Sequence, residues 1–96
     1  MPTKTPRGKK DLSSATYLDR LGRESARAYA FVISAQASRE GVALPRPDDE
    51  VNQFLDNTIE ALEKQEKLPW SKLSNERMIV FIDAWVDEMN RLGIRG

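Results

Sequence analysis

Between residues 74 and 92 the apolar positions are too many for a single helical stripe. At 3.6 residues per turn, Met78, Ile79, Phe81, Ile82, Trp85, Val86, Met89 and Leu92 spread over roughly 160° of circumference. A helix that wide contacts two other elements, so it is the expected centre of an all-helical fold. Its remaining side carries Glu76, Asp83, Asp87, Asn90 and Arg91, interrupted by Val80 and Ala84. Ser74 is the expected N-cap, with a staple available between Leu73 and Met78. Gly93 closes the helix and sets Ile94 to pack back on Met89 in a Schellman ending.

A second helical pattern runs from Ser13, the expected N-cap, to about residue 40, where Gly41 stops it. Its apolar face is predicted along Tyr17, Leu18, Leu21, Ser25, Ala28, Val32 and Ala35. The small residues on this helix, Gly22 among them, let a neighbour approach closely. Gly22 itself costs about 1 kcal/mol relative to alanine and could mark a bend. Leu44-Pro45-Arg46-Pro47 is an extended linker, because a residue before proline is pushed out of the helical region. The next helix opens at Pro47 and Asp48, with Asp48, Asp49 and Glu50 at the positive end of its dipole. It presents Val51, Phe54, Leu55, Thr58, Ile59, Ala61 and Leu62 before Pro69 stops it. No alternating run or hairpin turn signals a strand. The expected fold is all-α: a three-helix bundle with helices at about 13–40, 48–67 and 74–92.

Charge adds an arm to this picture. Residues 1–10 contain Lys4, Arg7, Lys9 and Lys10 with no acid, whereas residues 41–96 carry eleven acids against seven bases. With two prolines and one glycine, residues 1–11 read as a disordered basic arm ahead of a single helical domain over 12–96. A basic arm on an acidic body permits head-to-tail contacts or a polyanionic partner.

Composition narrows the chemistry. There is no cysteine and no histidine, so disulfides, thiolate nucleophiles and the commonest metal ligand and general base are missing. Asp83 and Asp87 lie one turn apart, but a straight helix face offers too few convergent oxygens for a cation. Ser71, Lys72 and Ser74 fall in a polar connector, where capping explains them better than a serine–lysine dyad. The five glycines never cluster into a phosphate loop. No catalytic, cofactor or metal residue is assigned, and no enzyme is expected. The longest apolar run, Met78–Ile82, is far short of the roughly 20 residues that span a bilayer. A cytoplasmic protein without a membrane partner or small-molecule substrate is expected.

Two function classes remain. The leading one is a small helical interaction or regulatory protein that associates with a protein partner or itself. Its candidate interface residues are Phe31, which falls off the predicted helix face, Trp70 on a proline corner, and Val80 and Ala84 on the polar side of the last helix. Trp70 also fits as a lid over one end of the bundle, and Phe31 would also be explained by a rotated helix. The alternative is a DNA-associated accessory protein. There Lys4, Arg7, Lys9 and Lys10 of the arm join Arg20, Arg23 and Arg27 on backbone phosphates. Against it, the i,i+4 pairs Asp19–Arg23 and Arg20–Glu24 neutralise much of that ridge.

Overall fold

The computed structural model describes residues 11–96; the basic arm with Lys4, Arg7, Lys9 and Lys10 lies outside the described residues. The chain forms α1 (Ala15–Glu40), α2 (Asp48–Lys64) and α3 (Asn75–Arg91), with one 3-10 turn at Trp70–Lys72 before α3. This is the expected all-α three-helix bundle. Among the described residues there is no strand, only an isolated bridge between Arg46 and Arg95.

The helix ends follow from local chemistry. Ser74 caps α3 as expected, its Oγ accepting from the Arg77 N–H at 3.2 Å. At α1 the cap falls one residue later than expected: Ser14 Oγ accepts from the Tyr17 N–H at 3.1 Å. Ser13 is engaged elsewhere, since its N–H and its hydroxyl both donate to Asp11 Oδ1, at 3.0 and 2.8 Å. These bonds hold the Asp11 carboxyl below its ordinary pKa. α3 ends as predicted, with Gly93 at φ 79° and the Ile94 N–H donating to the Met89 carbonyl at 3.0 Å. α2 stops at Lys64, three residues short of the expected end. Glu66 takes the left-handed conformation there (φ 59°) in place of a glycine. The Lys67 N–H then reaches back to the Leu62 carbonyl at 2.9 Å, and Leu68 turns fully into the core.

α1 and α3 run parallel and form the tightest pair in the bundle. The larger correction to the expected packing concerns α1. Its buried residues are Leu18, Gly22, Ala26, Ala30, Ile33 and Ala37, a face rotated by roughly 120° from the predicted one. Of the predicted stripe, Leu18 alone is buried, while Ala28, Val32 and Ala35 face outward. The reason is Gly22. A Cβ there would lie 2.8 Å from the Phe81 carbonyl oxygen, 3.0 Å from Ala84 Cβ and 3.2 Å from the Trp85 nitrogen. Glycine therefore lets the two backbones meet, and Ala26 and Ala30 continue the small ridge at four-residue spacing. That approach seals Phe81, Trp85 and Met89, each without exposed surface.

α2 is set against this pair through larger side chains. Tyr29 of α1 stacks on Phe54 at 5.8 Å between ring centroids, and the Tyr17 hydroxyl donates to the Lys67 carbonyl at 2.6 Å. Val51 of α2 joins Phe81, Trp85 and Met89 of α3 in the same buried cluster. The C-terminal tail braces the linker between α1 and α2. The Arg46 N–H donates to the Ile94 carbonyl at 2.8 Å, and Arg46 grips Glu50 through two bonds of 2.8 and 2.9 Å.

Two substitutions test this packing. Gly22→Ala should gain up to about 1 kcal/mol of helix propensity but lose more to overpacking, which typically costs about 1–3 kcal/mol. A lower urea midpoint than wild type is expected; a higher one would mean that the helices can separate freely. Trp85→Ala should cost about 3–5 kcal/mol as the loss of a fully buried large aromatic. Trp85→Phe should cost less, since it also removes a buried indole N–H that has no hydrogen-bond partner among the described residues.

Candidate protein interface

The polar centre of the molecule is Glu88, a carboxylate on α3 with only 2% of its surface exposed. It accepts from Arg23 Nη1 at 3.3 Å and Arg27 Nη1 at 3.4 Å, both on α1. Arg91, one turn further along α3, donates to it through Nε at 3.3 Å and also through Nη2. Arg23 reaches Asp87 Oδ2 at 2.8 Å and Asp19 Oδ2 at 3.4 Å as well. Three arginines thus meet three carboxylates, so the cluster has no net formal charge. The Arg91 hydrogen bond is the main force holding the Glu88 pKa below its ordinary value, against the opposing effect of burial. Arg23 is in turn held strongly cationic, chiefly by Asp87.

This clasp changes the reading of the α1 arginines. Arg23 and Arg27 are turned toward α3 carboxylates, and Arg20 alone of the three stands exposed without an ion pair among the described residues. Asp83 and Asp87 line a shallow cleft with Asp19, Arg23 and Val80. No group of three or more metal-ligating side chains occurs among the described residues.

The four candidate interface residues do not share a surface. Ala84 is buried against Gly22, so its assignment to an outer interface is corrected: the position is taken by α1 itself. Val80 is half-buried in the cleft beside Asp19 and Arg23. Trp70 packs edge-on against Phe81 at 5.9 Å and is half-buried, the geometry of a lid. Phe31 is 77% exposed even though α1 is rotated from its expected setting. It lines a shallow groove with Arg27, Ala30, Ser34 and Leu92, about three helical turns from Val80 along the bundle.

What sequence inspection missed is the company that Phe31 keeps. Residues 28–38 of α1 contain no charged side chain, in a chain that is 31% charged. Ala28, Phe31, Val32 and Ala35 are all exposed, Val32 by 58%. They lie opposite the Gly22–Ala26–Ala30 ridge, within about 100° of one another around the helix. The signal was present as an uncharged run, but its outward direction depends on the rotation set by Gly22. An aromatic and a β-branched residue side by side on a solvated helix face form an apolar patch of the kind that marks contact sites.

Comparison of the chain with protein-family models, curated proteins and solved structures finds no match. No helix among the described residues is long and apolar enough to cross a membrane.

The clasp has a pH signature. Glu88's folded pKa lies below its unfolded value, so the unfolded chain binds more protons between the two. Its contribution is fully present above the ordinary glutamate value of about 4.3 and is lost as pH falls through the folded value. Glu50, lowered by its Arg46 bonds, acts in the same window. Glu88→Gln should therefore flatten, without abolishing, the fall of the urea midpoint below about pH 4.5. An unchanged pH profile would mean that the carboxylate is no more stabilised folded than unfolded.

Proposed function

We propose that this chain is a small non-enzymatic helical interaction protein that works through the outer face of α1, with regulation as its natural role. The observation that carries this reading is the uncharged, exposed stretch centred on Phe31 and Val32. Its exposure does nothing for the bundle: the core is closed without Phe31, and an apolar face in water is a liability unless a partner covers it. An aromatic anchor beside a β-branched residue and flanking alanines suits helix-on-helix docking, since the alanines let a partner backbone come close. A second copy of the chain is the partner that this face fits best.

The nucleic-acid alternative draws less support. Arg23 and Arg27 would have to give up carboxylate partners on α3 before meeting phosphates, which leaves Arg20 and the arm as its readiest cations.

Phe31→Glu tests the proposal. Glutamate is as good a helix former as phenylalanine and the site is exposed, so thermal stability should change by less than about 0.5 kcal/mol. Affinity capture from the native host with wild type and with this variant should then differ by loss of the specific partner, this protein itself included. Identical captures by both forms would overturn the reading.

A further inference from the structure

The outer face of α1 is not only apolar; its ends carry opposite charges. Glu24 stands one turn before Ala28 and Arg39 one turn after Ala35, both exposed on the same side of the helix as Phe31 and Val32. Neither makes an ion pair among the described residues. The stretch from Glu24 to Arg39 therefore reads acid, small, Phe-Val, small, base over about 22 Å of helix. That order becomes complementary to itself when a second copy is turned end for end.

We propose that α1 pairs antiparallel with α1 of a second copy about a two-fold axis lying between Phe31 and Val32. This rests on the reading of the face as an interface and names its occupant and register. In this arrangement Phe31 meets the partner's Phe31 on one side of the axis, and Val32 meets the partner's Val32 on the other. Ala28 lies opposite the partner's Ala35, twice, so small residues flank the axis and the helices can close to about 8–10 Å. Glu24 comes level with the partner's Arg39 at each end, again twice, as an isologous interface requires. A parallel pairing would instead set Glu24 beside the partner's Glu24 and Arg39 beside the partner's Arg39, repelling at both ends. Charge order thus selects the antiparallel pair.

The contact is one helix face wide, smaller than the roughly 800 Å² per partner of a standard stable complex. A reversible monomer–dimer equilibrium, not an obligate dimer, is what such an area supports. The same geometry leaves the Glu88 clasp untouched, so association and folding are separable.

Sedimentation equilibrium on the full chain from about 10 to 500 µM tests the arrangement. Wild type should show a concentration-dependent dimer, and Phe31→Glu should remain monomeric with unchanged helical circular dichroism. Glu24→Arg and Arg39→Glu should each weaken self-association about tenfold, because each turns both end pairs into like charges. Mixing these two variants should restore association, since every end pair in the mixed dimer then joins opposite charges. The double variant Glu24→Arg/Arg39→Glu should likewise dimerise as wild type does. A wild-type chain that stays monomeric at about 500 µM overturns this proposal, while the interaction reading is judged separately by the capture experiment. A dimer broken by Phe31→Glu but indifferent to the charge exchanges overturns the antiparallel register and leaves an interface at Phe31.

Discussion

The distance between α1 and α3 is set by a side chain that is not there. With hydrogen at Gly22, the α1 backbone comes within van der Waals range of the Phe81 carbonyl and the Trp85 nitrogen. Much of the structure follows from that approach. It fixes the rotation of α1, because the ridge Gly22–Ala26–Ala30 must face α3 for the backbones to meet. It closes the space around Phe81, Trp85 and Met89 with a ridge of glycine and alanine between Leu18 and Ile33 of α1. It also turns Ala28, Phe31, Val32 and Ala35 to the opposite side, where nothing else in the described chain covers them.

Close packing also determines what Glu88 can do. A carboxylate 2% exposed between two helices loses nearly all of its hydration, a cost that attraction to a single partner often fails to offset. Here arginines reach it from both helices, and each keeps part of its guanidinium in water, with side-chain exposures of 34%, 51% and 60%. The cations stay hydrated while the anion is enclosed, so desolvation falls mainly on one group rather than on four. Because Arg23 and Arg27 approach along α1, the clasp also resists sliding of α1 past α3. A buried carboxylate left with fewer partners is costly, so displacing α1 from α3 would work against the clasp as well as against the small-residue ridge.

The fold was legible in the sequence because helix periodicity, caps and breakers agree locally. Ser74, Gly41 and Gly93 mark ends with a mechanism attached to each, and the wide face of α3 announces a buried helix. The end of α2 was not legible, since Glu66 takes the left-handed conformation with no glycine to signal it. The setting of α1 was not legible for a deeper reason. Hydrophobicity favours the side bearing Tyr17, Leu21 and Val32, whereas the bundle selects the side with the least volume. The energy gained by sealing Trp85 and Phe81 belongs to α3, so no property of the α1 sequence read alone contains it. Ala84 was misplaced by the same route: it looks like an apolar interruption of a polar face until Gly22 is set against it. Glu88 was passed over as one acid among many, its burial being a consequence of the pair and not of either helix.

One helix thus carries two faces of opposite character. The inward side of α1 is small and tight, and its arginines reach the buried Glu88. The outward side has larger side chains and no charge between residues 28 and 38, with Glu24 and Arg39 flanking that stretch. If α1 were rotated to its most hydrophobic setting, Val32, Ala28 and Ala35 would enter the core, and the clasp arginines would be displaced from Glu88. The bundle would then have buried its apolar residues more fully and kept no face for a partner. The choice of glycine and alanine for the inner ridge is therefore also what frees the outer one. Folding and the proposed association draw on different sides of α1, and a substitution on one side can be made without disturbing the other.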